Sequence, residues 1–418
     1  MKKLTLEQKW DIIDKIVRKT VSYGIYQHTI KDAIGELAVK PLTGIPIAIA
    51  VLYGFWSLFT SISSFITDGF MVKIFDGYWL PWLQKNFPGK PGDWLYSLMV
   101  DVGHKENGIL VNSDNCLEAF GVLTSGLFVS IGIVLPAIFV FYLIITILED
   151  SGYLPRLAVL LDNIMHKIGL HGYAIVPTIL GFGCNVPAVH ATRILETKKQ
   201  RILMMTLVSI FIPCGSQLSV MQNVIPEYTG VIILYLLFGY FTFGYILNKI
   251  LPGKSPEMLI DIPELMVPSL RNVSKKLWIR MSSFLISGIP LVMLGSLLVG
   301  VLYLSGVIDF LGKLLEPIFT IWFGVPKETS APLIAAFLRK DLAVAQLKGL
   351  ADAGIIKNIY QMVSSVVLVS LYFPCLATFI MILKESGRDF IKIILALFVA
   401  VFIYGGLLHL IWILMGVG

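Results

Sequence analysis

The chain has 418 residues, of which 56% are hydrophobic and only 14% are charged, and its mean hydropathy is +0.81. Soluble domains carry about 25% charged residues, so this composition excludes a soluble globular protein, and it also excludes disordered, collagen-like and coiled-coil chains. We therefore predict an all-α membrane protein that crosses the bilayer several times. The formal net charge of +6 does not indicate a nucleic-acid partner, because the basic residues lie mainly at the ends of apolar segments, where they set topology.

The polar N-terminal segment, residues 1–43, is predicted to be a cytoplasmic leader or linker. Trp10, Ile13, Val17 and Val21 recur at helical spacing with charged residues between them. This pattern indicates an amphipathic helix at the membrane surface or against a partner, and a solvated helix fits it equally well. No cleavable signal is visible, because about 40 polar residues precede the first apolar stretch.

About seven apolar stretches have the length that a spanning helix needs. These stretches lie near residues 45–66, 120–148, 202–222, 229–251, 284–304, 360–382 and 391–415. Two further stretches, 172–192 and 329–347, are interrupted by Gly, Pro and polar residues and are predicted to be broken or re-entrant. Residues 67–119 are predicted to form an external loop, and residues 252–283 a cytoplasmic connection.

The distribution of Lys and Arg predicts a cytoplasmic N-terminus, and we expect the protein to lie in the cell's inner (plasma) membrane. Residues 149–170 and the basic cluster from Arg193 to Arg201 both fall on the cytoplasmic side. The stretch between them, 172–192, must then enter and leave the membrane on one side. Its Gly181 and Pro187 suit such a hairpin better than a straight helix.

Two parts of the chain share an ordered set of short motifs. The matched motifs are Ser151-Gly152 with Ser305-Gly306, Pro177 with Pro332, and Ile212-Pro213-Cys214 with Phe373-Pro374-Cys375. The spans 120–148 and 284–304 are predicted to run in opposite directions, so the repeats are inverted, a pattern typical of transporters with a site at the bilayer midplane. The predicted units are the first span with its external loop (44–119), the first gate repeat (120–251), the cytoplasmic connector (252–283) and the second gate repeat (284–418).

The first broken stretch contains the run Gly181-Phe182-Gly183-Cys184-Asn185-Val186-Pro187-Ala188. Glycine permits unusual dihedral angles and proline removes a donor, so the Cys184 and Asn185 side chains face whatever the break surrounds. A soft thiol with carbonyl and amide oxygens suits a borderline transition metal better than Mg²⁺ or Ca²⁺. The alternative is packing alone, with each cysteine behaving as a small buried apolar residue.

Symmetry-related Pro-Cys kinks at Cys214 and Cys375 add two further thiols. The candidate metal ligands are Cys184, Cys214, Cys375, Asn185, Ser216 and Gln217. The candidate gating residues are Gly181, Gly183, Pro187, Pro213, Pro374, Lys340 and Asp341. Four cysteines in a chain of this length do not indicate a disulfide framework.

Other polar residues are open to more than one interpretation. Arg339-Lys340-Asp341 places charges in an apolar context, where charges either pair with one another or line a water-filled pathway. His190 is predicted to be an interior histidine with satisfied hydrogen bonds, and the alternative is a transient ligand. His104 and Cys116 in the external loop are candidates for metal capture, and the sequence assigns them no definite role.

No nucleotide-binding motif is found. Gly253-Lys254-Ser255 has Asn248 where a phosphate-binding loop needs its first glycine, and it follows a spanning helix rather than a strand. Zincin, nucleophile-elbow and haem motifs are not found either. We therefore predict a transporter rather than an enzyme, with no permanently bound cofactor.

The run from Gly181 to Arg193, GFGCNVPAVHATR, closely resembles the first gate motif of the ferrous iron transport protein B (FeoB) family. Further elements that resemble the same family are Ile212 to Cys214, Phe337 to Asp341 and Leu371 to Thr378. The resemblance runs from Trp10 to the last helix and covers the family's membrane region. Gly215 to Ser219 and Asp341 depart from the family's usual residues.

By this resemblance the chain imports Fe²⁺ as its substrate, with Cys184, Cys214 and Cys375 as ligands along the pathway. The family's N-terminal GTP-binding domain is not recognisable, so a separate GTP-binding protein is expected at the cytoplasmic N-terminal segment, and self-association is a further expectation. The alternatives are a transporter of another divalent metal, a transporter of a nucleoside-like solute, and a membrane scaffold that transports nothing.

Overall fold

The computed structural model describes most of the chain. The described residues are 13, 15, 17 and 20 and the ranges 30–89, 93–101, 104–106, 109–111, 116, 121–253, 265–338, 340–352, 354–356 and 358–415. The amphipathic helix predicted from Trp10 to Val21 therefore lies mostly outside the described residues.

Helices predominate in the segment that precedes the first repeat. Its helices are α1 (Ile30–Val39), α2 (Pro41–Ile66), α3 (Val72–Ile74), α4 (Leu80–Asn86) and α5 (Trp94–Met99). The π-helical turns Thr67–Met71 and Phe75–Trp79 join α2, α3 and α4 into one run. Two short strands, β1 (His104–Glu106) and β2 (Ile109–Val111), pair in antiparallel fashion.

The predicted external loop is wrong for residues 67–86, because a continuous helical run extends from Pro41 to Asn86. Pro81 does not end this run, although proline removes a helical hydrogen bond. It lies in the first turn of α4, directly after the π turn Phe75–Trp79. The wider hydrogen-bonding pattern of a π turn accommodates the missing donor and the ring.

The first repeat contains seven α-helices. They are α6 (Leu135–Asp150), α7 (Tyr153–Lys167), α8 (Ile175–Gly183), α9 (Asn185–Ala191), α10 (Lys198–Phe211), α11 (Gly215–Val224) and α12 (Pro226–Ile250). The π turns Val122–Gly126 and Phe128–Val134 lead into α6, and the 3-10 turns Gly172–Ala174 and Thr192–Ile194 flank the pair formed by α8 and α9.

The connector and the second repeat are also helical. The helices are α13 (Leu270–Ser283), α14 (Ile289–Leu304), α15 (Val307–Pro317), α16 (Ser330–Leu338), α17 (Lys340–Asp352), α18 (Ile359–Leu371), α19 (Leu376–Ser386) and α20 (Phe390–Leu414). The shorter turns are Phe284–Gly288, Ile318–Trp322, Lys327–Thr329 and Gly387–Asp389. The connector predicted at 252–283 thus includes a helix that leads directly into α14.

Among the described residues, five helical runs are long and apolar enough to cross a bilayer. They are Pro41–Asn86, Val122–Asp150, Lys198–Gln222, Pro226–Ile250 and Ile359–Leu414. The last run contains both spans predicted at 360–382 and 391–415, and the span predicted at 284–304 corresponds to α14 and the π turn before it. The prediction of an all-α membrane protein is confirmed.

Two predicted spans are not continuous helices. The chain is unwound at residues 212–214 between α10 and α11, and at residues 372–375 between α18 and α19. Pro213 and Pro374 lie in these stretches, where they cannot donate to a helical ladder. The expectation of kinked but continuous helices is wrong here, because the chain extends for several residues before the next half-helix begins.

The internal repeat predicted from short motifs is visible in the backbone. Gly152 and Gly306 both adopt left-handed conformations, with φ of 76° and 71°, and each caps an equivalent helix, α7 or α15. A left-handed residue strongly favours glycine, which explains why the Ser-Gly pair recurs at this point. A pair of short helices and then a pair of half-helices follow in both repeats.

The two repeats pack on each other by a symmetrical pattern. Helix α9 packs against α19 and α11 packs against α17, while α10 packs against α20 and α12 packs against α18. Since α9 and α17 are equivalent, as are α11 and α19, each contact has its counterpart in the other repeat. The equivalent helices α10 and α18 form the centre of the core, with residues 202–211 and 362–371 buried.

Contacts at the end of α19 show that the repeats are inverted. The Nε atom of Arg193, just before α10, donates to Oε2 of Glu385, at the end of α19, over 2.7 Å. Helices α10 and α11 therefore run away from this side of the molecule, whereas the equivalent α18 and α19 run toward it. The 172–192 stretch is re-entrant, because Gly169 lies beside Asn248 on the last turns of α12, on the same side as Arg193.

Gly324→Ala is expected to destabilise the protein by about 2–4 kcal/mol, combining left-handed strain with overpacking. Gly324 has a φ of +65°, and an added Cβ atom would lie 2.3 Å from the His409 ring. That ring is held in place, since its Nδ1 atom lies 3.1 Å from the carbonyl oxygen of Trp322. Thermal unfolding in detergent measures the effect.

Gly354→Ala is the matched control for this substitution. Gly354 also has a positive φ, +72°, but an added Cβ atom would meet nothing within 4 Å. The control therefore isolates backbone strain from the clash with His409. Equal losses of thermal stability in both variants would show that the packing of His409, on α20, against residue 324 does not constrain this position.

Candidate functional site

Each of the three candidate thiols begins a half-helix. Cys184, Cys214 and Cys375 are the N-cap residues of α9, α11 and α19, respectively. Their backbone conformations are non-helical, with ψ of 131°, 162° and 154°. The carbonyl groups before a break and the N–H groups after it lack helical partners, so each thiol lies beside backbone polar groups that bond outside the helical ladder.

The structure brings the three thiols into one region. Cys184 lies close enough to Cys214 and Cys375 for electrostatic interaction, and the Lys340 ammonium group interacts in the same way with Cys214 and Cys375. Within the described part of the chain, no three His, Cys, Asp or Glu side chains are grouped closely enough to hold a metal ion. The three thiols thus lie near one another at the breaks that precede three helices, and they do not form a closed metal cage.

Asn185 supplies a buried amide oxygen to this region. Its side chain is 6% exposed, and its Nδ2 atom donates to the carbonyl oxygen of Ile212 over 3.3 Å. A carbonyl only accepts, so this contact fixes the amide with its nitrogen toward Ile212. The Oδ1 atom is left buried without a hydrogen-bond partner, which is costly unless a donor or a cation approaches it.

Gln217 presents a second buried amide oxygen. It is 0% exposed, and its Nε2 atom donates to the Ser370 hydroxyl of the other repeat over 2.7 Å. Its Oε1 atom is buried and has no hydrogen-bond partner. Two of the predicted oxygen ligands therefore carry unsatisfied acceptors in the first turns of the helices that Cys184 and Cys214 cap.

Lys340 is buried at the equivalent of Asn185 in the second repeat. It is 5% exposed, and its ammonium group donates to the carbonyl oxygen of Ser370 over 2.8 Å. Each side chain donates to a carbonyl oxygen near the end of the next helix of its repeat, Asn185 to that of Ile212 and Lys340 to that of Ser370. Arg339 and the side chain of Asp341 lie outside the described residues, so the ion pair considered for this run is not tested.

Hydroxyl groups accompany two of the thiols. The Cys214 sulfur lies 3.4 Å from the Ser216 hydroxyl, and the Cys375 sulfur lies 3.2 Å from the Thr378 hydroxyl. Thr378 occupies the position in the second repeat that Gln217 occupies in the first, three residues after the cysteine. In the second repeat the side chain at this position contacts the thiol.

The candidate gating glycines allow close packing. An added Cβ atom at Gly183 would lie 2.6 Å from the Phe141 ring, and one at Gly181 would lie 2.9 Å from the Ile212 side chain. An added Cβ atom at Gly215 would lie 3.2 Å from the carbonyl oxygen of Gly183. The breaks that precede α9 and α11 therefore lie directly against each other, and any larger side chain would push them apart.

The candidate prolines occupy different positions. Pro187 lies in the first turn of α9, where a missing N–H group costs nothing. Pro213 and Pro374 are buried in the unwound stretches. All three keep the chain from forming a continuous helix past a thiol.

His190 does not lie in the interior, so that prediction is wrong. Its side chain is 54% exposed, and its Nδ1 atom lies 3.0 Å from Oε1 of Glu385, which also binds Arg193. The Glu385 side chain itself is only 7% exposed. A carboxylate at the end of α19 thus ties together the last turn of α9 and the chain after it.

The predicted cytoplasmic side carries a second cluster of ion pairs. Lys276 and Arg280 on α13 bind Glu149, and Lys276 also binds Asp150. The hydrogen bond to Asp150 raises the pKa of Lys276. The connector helix is thereby fixed to the end of α6.

Cys116 is buried, with 0% of its surface exposed, and its backbone N–H group donates to Asp76. Burial raises the pKa of this thiol, and Asp76 adds to the effect. A buried neutral thiol is a poor external metal ligand. The His104 side chain lies outside the described residues.

Ser370 and Thr378 were missed by sequence reasoning. Both hydroxyls are 0% exposed beside the breaks. Thr378 had a detectable signal, since it lies three residues after Cys375, as Gln217 does after Cys214. Ser370 had none, because a serine in an apolar helix usually bonds its own backbone and its neighbours depend on tertiary packing.

Comparison with known families supports this architecture. A family model described as "Gate: Nucleoside recognition" matches residues 131–226 and 285–389, and one described as "Ferrous iron transport protein B C terminus" matches residues 231–280. Over these residues the chain is similar to proteins of the FeoB family. The two Gate matches fall on the two inverted repeats, and the C-terminus match covers most of α12 and most of the connector.

Curated FeoB relatives match most of the chain. The Fe(2+) transporter FeoB of Methanocaldococcus jannaschii is 26% identical over 91% of this chain and 58% of that protein, and the Staphylococcus aureus protein of the same name is 28% identical over 63% and 45%. An Fe(2+) transport protein A/FeoB fusion protein of Porphyromonas gingivalis is 31% identical over 50% of this chain and 26% of that protein. The chain spans about half the length of the first two relatives.

A solved structure described as "Structure of CNTnw in an inward-facing substrate-bound state" matches with a TM-score of 0.43 and 15% identity. The match covers 93% of this chain and 100% of that one. At this score the match supports no further conclusion.

Proposed function

We propose that this chain carries Fe²⁺ across the cell's inner membrane through the breaks between its half-helices. One observation carries the proposal: two buried amide oxygens, on Asn185 and Gln217, lack hydrogen-bond partners in the first turns of the helices that Cys184 and Cys214 cap. Unsatisfied buried acceptors are costly, and a bound cation at these two oxygens would remove that cost. Acceptor oxygens and sulfur together favour a cation.

The mixed donor set favours a borderline divalent metal. Thiolates alone select soft ions, and oxygen donors alone select Mg²⁺, Ca²⁺ or Mn²⁺, whereas a mixed set suits an ion between them, such as Fe²⁺. Neighbouring ligands that do not form a closed cage also suit transport, because a carried ion must leave the site as readily as it enters. The names of the FeoB relatives state the same substrate, Fe(2+).

The membrane potential favours inward movement of a divalent cation. A divalent ion that crosses toward the negative side gains about 2 × 2.3 kcal/mol per 100 mV. We assign the Cys184, Cys214 and Cys375 region the role of the pathway, and the glycines and prolines at the breaks that of a gate. In this assignment the chain is a transporter without a permanent cofactor, and its N-terminus is cytoplasmic.

Uptake into anaerobic proteoliposomes tests the proposal. Purified protein is reconstituted with an imposed inside-negative potential, and Fe²⁺ uptake is compared with that of Mn²⁺, Zn²⁺ and uridine. Uridine is included because one matching family model is described by nucleoside recognition. We expect potential-dependent Fe²⁺ uptake and no uridine uptake, and uridine uptake without Fe²⁺ uptake would overturn the proposal.

The proposed partners need a separate test. A GTP-binding protein that docks on residues 1–43 stays a prediction, as does self-association. Co-purification of a candidate GTP-binding protein with this chain tests the first, because docking requires a stable contact with the N-terminal segment. Light scattering of the detergent-solubilised protein tests the second.

A further inference from the structure

We propose that Ser370 is a positioning residue that holds the Gln217 amide with its carbonyl oxygen available to the cation. This inference rests on the proposed function and names the residue that sets the sulfur-and-oxygen character of the site. The hydrogen bond between the two side chains joins the two repeats, because Ser370 lies on α18 and Gln217 lies on α11.

The hydrogen of the Ser370 hydroxyl is already committed. The hydroxyl donates to the carbonyl oxygen of Val366, one turn earlier, over 2.8 Å. A serine hydroxyl has one hydrogen, so toward Gln217 it acts only as an acceptor. The Gln217 Nε2 atom donates to it over 2.7 Å.

This arrangement fixes the direction of the amide. The reversed amide would set its oxygen against a hydroxyl oxygen whose hydrogen points elsewhere, and both would be acceptors. The observed orientation satisfies Nε2 and leaves Oε1 as the acceptor without a partner. Gln217 is thereby prepared to contribute a neutral oxygen.

Ser370 is itself held in place by the second repeat. Its carbonyl oxygen accepts from the Lys340 ammonium group on α17, and its side chain is 0% exposed. Ser370 therefore contacts both Gln217, a proposed ligand in the first repeat, and the buried ammonium group of Lys340 in the second. Such fixed partners of a ligand commonly tune metal affinity.

Cobalt binding tests the proposal independently of transport. Co²⁺ replaces Fe²⁺ in binding to the purified, reduced full-length protein in detergent, and the thiolate-to-cobalt absorption band reports sulfur ligation. We expect Ser370→Ala to keep this band and to weaken Co²⁺ binding by about tenfold, the lower end for loss of a ligand's orienting partner. Ser370→Thr keeps the hydroxyl group and should therefore bind Co²⁺ with the wild-type affinity.

A double-mutant cycle distinguishes positioning from a general structural effect. If Ser370 acts through Gln217, Ser370→Ala should have no further effect in a Gln217→Leu background. Ser365→Ala is the matched control, since Ser365 lies on the same helix, is 0% exposed and donates to its own backbone at Gln361. We expect it to leave Co²⁺ affinity unchanged.

The outcomes separate this inference from the proposed function. Equal weakening by Ser370→Ala with and without Gln217, or no weakening in either, would overturn the positioning role. Co²⁺ binding that follows the expected pattern without Fe²⁺ uptake would uphold the positioning role and overturn only the proposed transport. A wild-type protein that does not bind Co²⁺ would overturn the positioning role, and Fe²⁺ uptake would then decide the proposed function separately.

Discussion

Cys214→Ser is expected to lower Fe²⁺ uptake by about 10–100-fold, and Cys184→Ser and Cys375→Ser are expected to have similar effects. Serine keeps the size of the side chain but replaces a soft sulfur ligand with a hard, neutral hydroxyl. Each of the three thiols begins a half-helix, so each loss alters the same pathway. Initial rates in anaerobic proteoliposomes measure the effect.

Cys116→Ser is the matched control for these variants. Cys116 is the fourth cysteine and is buried beside Asp76, outside the breaks. It should retain wild-type uptake, with thermal unfolding used to confirm that all four variants fold. Equal rates in all four variants, or a loss with Cys116→Ser alone, would contradict a thiol-lined pathway.

Lys340→Gln is expected to lower the apparent KM for Fe²⁺ by about tenfold, because it removes a buried positive charge beside the pathway. Charges of +1 and +2 about 7 Å apart repel by about 5 kcal/mol at an effective dielectric constant of 20, and neighbouring thiolates and water reduce the net effect. Glutamine still donates a hydrogen bond, so the contact with Ser370 is preserved in kind. The concentration dependence of Fe²⁺ uptake measures this change.

Lys348→Gln provides the control, because Lys348 lies on the same helix, α17, but is exposed. It changes the net charge by the same amount at a position where solvent screens it. A higher KM in Lys340→Gln would contradict simple repulsion and would show that the ammonium group stabilises ligands in their charged form. A shift of equal size in both variants would indicate a surface effect on ion concentration.

Much of the architecture is readable from the sequence. Low charge content and long apolar stretches predict a helical membrane protein, because backbone groups in lipid must find partners within the chain. The Ser-Gly and Pro-Cys motifs predict the repeat, because left-handed residues and missing donors constrain the backbone locally. The three thiols at Cys184, Cys214 and Cys375 are brought into one region, as the repeat suggested.

Other features of the fold could not be predicted from hydropathy or from short sequence motifs. The helical run from Pro41 to Asn86 continues past Pro81 because π turns absorb a missing hydrogen bond, an accommodation that hydropathy does not reveal. His190 follows a buried run in sequence, yet it is exposed and bonded to Glu385, a residue almost 200 positions away. Such pairs follow from the approach of α9 and α19.

The sequence by itself therefore determined the fold class, the inverted repeat and which three cysteines lie at the breaks, since each arises from local composition or backbone restriction. Only the tertiary structure decided which amide atoms remain free, and that Ser370 and Lys340 face Gln217 and the thiols. The physical reason is that a hydrogen bond between Gln217 and Ser370 joins opposite repeats across a long separation in sequence. Its existence depends on how the half-helices pack, and no local pattern encodes that.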